Sequence, residues 1–186
     1  MYLFAGLGNI GDKYTNTPHN AGFMFVDQFR EYLGYDTLYS VNDWAYDKYL
    51  NAELSIGKVG MEEKVLFLKP MTMMNASGLA VRETLNRYDL KASESLVVIH
   101  DDLDIPLGEY KIQRNKAPKS HNGINNIKLM IGTSDYLSVR IGVENRVNKD
   151  ISGEDYVLMK YKDQDLLLLN EVISDACRSL RSHLQV

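Results

Sequence analysis

Apolar and polar positions follow two periods along the chain, and the switches between them predict its elements. Tyr2 to Leu7 is a short apolar run that ends in glycines, the mark of a buried strand. After Thr17-Pro18, residues Phe25, Val26, Phe29 and Leu33 recur at helical spacing up to Gly34. A helix capped by Thr17, with proline at its first position, is therefore expected. Leu50, Ala52, Leu54 and Ile56 alternate as a half-buried strand, and a turn around Gly60 returns the chain into KVLFLK, which predicts a hairpin. Ser77 is placed to cap a helix that turns Val81, Leu85 and Tyr88 inward. SLVVIHDD reads as a continuous apolar strand ending in acids. EYKIQ and YLSVRIGV read as further strands, with a short helix near Ile124 to Ile131 between them. Gln164 to Leu184 has the pattern of a long amphipathic helix. Strands alternating with helices, interrupted by one hairpin, predict an α/β fold. The expectation is a single domain over residues 1–186, with a twisted, mixed, mostly parallel sheet and helices on both faces.

Composition adds little to this picture. The 186 residues are 45% hydrophobic and 25% charged, as in a soluble globular protein, and no repeat or linker divides them. The N-terminal run is too short, and lacks the basic flank, for a secretory leader. No stretch approaches the ~20 apolar residues of a membrane span. The single cysteine, Cys177, falls among Val172, Ile173, Ala176 and Leu180 at helical spacing and is expected in the core. A reducing, cytoplasmic location is the expectation.

Charge matters more by its distribution than by its sum. A net charge of −4 offers no global basic field to a nucleic acid. From Tyr110 to Ile131, however, Lys111, Arg114, Lys116, Lys119 and Lys128 occur without a single acid. By charge alone this stretch reads as a solvated loop.

Gly6, Gly8 and Gly11 spell G-x-G-x-x-G, which raises the question of a dinucleotide. Such a site needs the third glycine to open a helix whose N-terminus receives the pyrophosphate. Here DKYTNTP follows Gly11, and Pro18 forbids continuing a helix begun there. No second strand ends in an acid about 20 residues on, so the context fails.

His19 is the rival centre of interest. In an α/β sheet, functional groups gather outside the carboxyl ends of the strands. Asn9, His19, the KPMTMMNASG segment, the Asp101-Asp102 pair and SHNG all fall at such positions. A neutral imidazole can take a proton from water, and a carboxylate on its other nitrogen fixes the tautomer and stabilises the imidazolium. The positive helix end beside His19 is expected to hold the resting ring neutral. Asparagine amides can donate to an oxyanion. No serine or cysteine sits in a nucleophile elbow, so direct attack by water is favoured over a covalent route. Asn9, Asn20, Asn75 and Asn122 each shortly precede a glycine, and singly each reads as a turn residue. DDLD offers a different class of chemistry, since Asp102 and Asp104 could hold a divalent metal at a strand end. Against this, Pro106 follows closely, no second acidic cluster exists, and the histidines lack metal-ligand spacing.

GLGN-G-Y-TPHNAGF, KPMTMMNASG, HDDLDIPLG, HNGINNI and VRIG occur in order and resemble the signature blocks of the bacterial peptidyl-tRNA hydrolases. The resemblance runs from the first strand to near residue 180. It implies a cytoplasmic, monomeric α/β enzyme that uses no metal or cofactor and has peptidyl-tRNA as its partner. Such an enzyme cleaves the ester between a peptide and the 3′ end of tRNA. His19 would be the base, Asp101 its orienting carboxylate, and Asn9 a discriminator between peptidyl and free aminoacyl ends. Tyr14, Met73, Asn75 and Asn122 would line the substrate site. Arg140 would contact tRNA phosphate, recasting the basic run as a phosphate-facing surface. Met73 stands where a phenylalanine is common. Gln113 stands at a basic position with Arg114 as a substitute beside it, and the loop RNKAPKSHNG carries few glycines. The resemblance also implies a last short segment beyond RSHLQV. The alternative from another class is a catalytically weak RNA-binding relative of the same fold.

Overall fold

The computed structural model describes residues 1–186 and contains one eight-stranded sheet. Its strands are β1 (Tyr2–Gly6), β2 (Ser40–Val41), β3 (Ala45–Asp47), β4 (Ala52–Val59), β5 (Glu62–Pro70), β6 (Leu96–Pro106), β7 (Tyr110–Arg114) and β8 (Leu137–Glu144). The order across the sheet is β2-β4-β5-β1-β6-β8-β7, with β3 paired to β4. β1 runs parallel to β5 and β6, and β6 parallel to β8. The other four pairings (β2 and β3 with β4, β4 with β5, β7 with β8) are antiparallel. The expectation that parallel pairs dominate is therefore corrected. Parallel pairing is confined to the centre, where helical crossovers connect the strands, while hairpins and short returns build both edges.

The helices are α1 (Ala21–Gly34), α2 (Ser77–Arg87), α3 (Ala92–Ser95), α4 (Asn122–Ile131), α5 (Gly153–Tyr156) and α6 (Asp163–Leu184). They cover both faces. Phe25, Phe29 and Leu33 of α1, with Leu169, Ile173 and Cys177 of α6, pack on one face against Phe4, Phe67, Ile99 and Val139. Val81 and Leu85 of α2, with Ile124 and Ile127 of α4, pack on the other against Leu3, Leu66, Leu68 and Val98. Strand alternation explains the division, because Phe4 and Leu3 point to opposite sides of the same strand. The Phe4 and Phe29 rings meet edge to face at 5.0 Å, an arrangement that adds about 0.5–1.5 kcal/mol beyond the area it buries.

The expected elements form, with three local differences. Pro18–Asn20 is a separate 3-10 turn ahead of α1, and the Thr17 hydroxyl donates to the Tyr14 carbonyl at 2.8 Å instead of capping the helix. Ser77 is the first residue of α2, and its hydroxyl donates to the Met74 carbonyl at 2.9 Å. β6 continues past the acids to Pro106, so Asp101 and Asp102 lie within the strand rather than at its tip.

Gly6 at the end of β1 and Gly22 in α1 serve packing. A Cβ on Gly22 would lie 2.4 Å from both the Ile99 carbonyl oxygen and the Leu7 amide nitrogen. A Cβ on Gly6 would lie 2.4 Å from the Gly22 carbonyl oxygen. The start of α1 thus rests directly on the β1 and β6 backbones, and this contact sets where His19 stands.

Candidate active site

The turn after β1 is locked by paired asparagines. The Asn9 amide nitrogen donates to Asn20 Oδ1 at 2.8 Å, and Asn20 Nδ2 donates to the Asn9 carbonyl at 3.1 Å. Asn9 Oδ1 accepts the Met74 amide hydrogen at 2.7 Å, which ties the turn to the segment after β5. Because that oxygen is taken, the Asn9 side-chain NH2 is the end left for the cavity. Asn20, which singly reads as a turn residue in the sequence, is the partner that makes this orientation possible.

His19 sits in the 3-10 turn ahead of α1, and its backbone N–H donates to the Val157 carbonyl at 2.9 Å. Its Nδ1 lies 2.9 and 3.0 Å from the two carboxylate oxygens of Asp101. Asp101 is buried and takes a second imidazole, with His121 Nε2 lying 2.9 Å from Oδ1. His121 caps α4, its Nδ1 accepting the Ile124 amide hydrogen at 3.3 Å. These partners assign the ring protons. His121 must carry its hydrogen on Nε2, because Nδ1 accepts from the backbone. His19 must carry its hydrogen on Nδ1 to donate to Asp101, which leaves its Nε2 lone pair for the cavity.

Electrostatics follow from this geometry. Burial lowers the His19 pKa, but the Asp101 charge and the hydrogen bond to it raise it, and the balance is a rise above 6.5. The rise runs against the downward pull expected at His19, because the carboxylate in contact outweighs the loss of water around the ring. Burial pushes Asp101 up, yet His19 and His121 together hold it far below the ordinary carboxylate range. His100 is wholly buried, its Nδ1 donating to the Asp101 carbonyl at 2.7 Å, and desolvation pushes its pKa down to about 3.

Asn9, Tyr14, His19, Met73, Asn75, Asp101 and Asn122 all line one cavity of about 620 Å³. Five separated stretches of chain thus converge. Asn75 and Asn122 stand exposed on its rim, and Met73 forms part of its apolar wall together with Leu103, Val157 and Leu158. Sequence reasoning passed over His121 as a partner of Asp101. The available signal was His121-Asn122-Gly123, a cap residue followed by a glycine. A Cβ at Gly123 would lie 2.5 Å from Met74 Sδ, so the start of α4 packs closely on the Met74 side chain, which a larger residue would have to displace.

The D-x-D pair does not converge on a shared ligand. Asp102 is buried and accepts from Arg140 Nε at 2.7 Å, while Asp104 lies 3.7 Å from Lys119 Nζ. Arg140 also donates to Gln113 Oε1 at 2.9 Å. Two of its guanidinium nitrogens, Nε and Nη1, are thus held by neighbouring side chains. Arg114 does not replace Gln113: it points to the opposite side of β7 and holds the Ser93 carbonyl and Asp135. The side-chain ligand atoms of His19, Asp101 and His121 lie within 4.8 Å of one another, a spacing a divalent cation could bridge on displacing the two ring protons. In the hydrogen-bonded arrangement those positions belong to the protons.

A base aimed into a cavity, an orienting carboxylate and an amide donor form the equipment for adding water to an acyl group. The sequence profile of the peptidyl-tRNA hydrolases matches residues 3–186. The peptidyl-tRNA hydrolase of Staphylococcus saprophyticus is 35% identical over 185 residues, covering 100% of this chain and 92% of that protein. That of Thermodesulfovibrio yellowstonii is 36% identical over 97% of this chain and 90% of its own length. The crystal structure of the Acinetobacter baumannii peptidyl-tRNA hydrolase superposes with a TM-score of 0.83 at 29% identity, covering 97% of this chain and 87% of that one. With its sequence matched over residues 3–186 and its fold matched by a solved structure, the chain belongs to the peptidyl-tRNA hydrolase family.

Proposed function

We propose that this chain hydrolyses the ester joining a peptide to the 3′ end of tRNA, with His19 as the base that activates water. The observation that carries the reading is the His19–Asp101 contact at 2.9 Å, inside the cavity that Asn9, Asn75 and Asn122 also line. His19 Nε2 takes a proton as the water oxygen adds to the ester carbonyl. The developing oxyanion accepts from the Asn9 side-chain amide, whose oxygen is already committed to Met74. Asp101 stabilises the imidazolium without taking its proton. The carbon–oxygen bond to the ribose then breaks, the imidazolium returns the proton to the leaving oxygen, and the products are a peptide acid and tRNA with a free terminal hydroxyl. Tyr14, Met73, Asn75 and Asn122 hold the terminal nucleotide and the first peptide residues. Lys111, Lys116 and Lys119 supply the phosphate-facing surface, and Asn9 separates peptidyl from free aminoacyl ends. The reading carries with it a monomer acting in the cytoplasm; no helix is long and apolar enough to cross a membrane.

Incubation with an N-blocked aminoacyl-tRNA is expected to release deacylated tRNA. The variant His19→Ala is expected to turn over about 10²–10⁴-fold more slowly while retaining tRNA affinity. Wild-type cleavage by that variant would overturn the assignment of the base. The specific observation favouring an enzyme over an RNA-binding relative is that His19, Asp101 and Asn9 meet in one cavity with their hydrogen-bonding ends set for catalysis.

A further inference from the structure

Asp101 and Glu154 are the only carboxylates among the fifteen residues lining the cavity, which include no Lys or Arg. Asp101 is buried and doubly hydrogen-bonded, whereas Glu154 is exposed and has no hydrogen-bond or ion-pair partner. Arg146, whose Nη1 would lie 3.8 Å from a Cβ on Gly153, is already engaged, as is Lys149. Arg146 and Lys149 both hold Glu144, and Arg146 also donates to the Ile151 carbonyl at 2.9 Å. Ser152 caps α5 by bonding Asp155, not Glu154. An exposed carboxylate with no ion-pair partner of its own is therefore set at the rim of the active-site cavity.

Its neighbours indicate which part of a substrate it meets. Gly153 presses on Leu103, where a Cβ would lie 2.8 Å from Leu103 Cδ1, and Val157 and Leu158 continue the same apolar wall. Another part of the rim, at Ser120 and Asn122, follows directly on the exposed Lys116 and Lys119. A polyanion is attracted to the lysine side and repelled from the Glu154 side. Apolar wall and unpaired carboxylate together suit the side chains of a peptide.

We propose that Glu154 is a specificity-determining residue that makes the cavity favour peptides with a cationic side chain near the ester over those with an acidic one. The inference rests on the peptidyl-tRNA hydrolase reading above. It is tested with three substrates on one tRNA body, N-acetyl-Lys-Phe-, N-acetyl-Gln-Phe- and N-acetyl-Glu-Phe-tRNA, comparing kcat/KM. The expected order for the wild type is Lys, then Gln, then Glu, with about a threefold or larger difference between the extremes at low salt, shrinking as salt rises. Glu154→Gln should bring the three values together, and Glu154→Lys should reverse their order. Equal wild-type rates, or an order that survives in Glu154→Gln, would overturn the role of Glu154 and leave the ester hydrolysis standing. Failure to cleave any of the three would overturn the hydrolase reading itself.

Discussion

His19 and Asp101 stand 82 positions apart in the chain, yet the imidazole Nδ1 lies 2.9 Å from one carboxylate oxygen and 3.0 Å from the other. A single N–H shared between both oxygens fixes the ring plane, and the Nε2 lone pair can face only the cavity.

The first prediction concerns the pH dependence of that pair. Only neutral His19 can act as a base, so kcat/KM should climb with pH through a value above 6.5, because Asp101 raises the proton affinity of the ring. In Asp101→Asn the raising charge is gone and burial alone remains, so the acid limb should move below 6.5 while turnover falls by about tenfold or more. A pH–rate profile of both proteins checks it. An acid limb that stays in place would remove Asp101 from its role.

His121 should act in the opposite sense. In His121→Phe the carboxylate loses one of its two donors and serves His19 alone, which binds the His19 proton more tightly. The acid limb should then move upward, and α4 should lose about 1 kcal/mol with its cap. The same pH–rate profile, read beside thermal unfolding, separates the electrostatic effect from the loss of the cap.

Acid should weaken the fold through His100. Its pKa is about 3 in the folded chain against 6.5 for an ordinary histidine. Between these values the unfolded chain binds a proton that the folded chain refuses, so stability falls as pH drops from 6.5 towards 3. His100→Phe removes that titration, and its unfolding free energy should be flatter across this window. Urea unfolding at several pH values measures the slope; equal slopes for the two proteins would count against the burial argument.

Two glycines of the first loop and helix should respond differently to alanine. At Gly22 the added methyl meets backbone atoms at 2.4–2.5 Å that cannot move aside, so the variant should lose about 3 kcal/mol or fail to fold. At Gly11 nothing lies within 4 Å, and only the backbone opposes the change, φ 104° and ψ 147° lying in a region that glycine alone adopts readily, at about 1–3 kcal/mol. Thermal unfolding of the two variants gives the ranking, and equal losses would refute it.

Much of this architecture was legible in the residues themselves. The apolar period predicts β1, the β4–β5 hairpin, α1, α4 and α6, because burying a face imposes a repeat of two or 3.6 that local sequence must carry. Ordered motifs around His19, Asn75, Asp101 and Asn122 single out residues that line one cavity. What they left open depended on contacts between distant segments. The sheet's parallel centre and antiparallel edges depend on which strands become neighbours. The pairing of buried Asp102 with Arg140 and the sharing of Asp101 between two histidines arise only when distant segments pack together. Periodicity records how each segment meets the core, but the protonation of His19 is set by a carboxylate that packing alone brings to it.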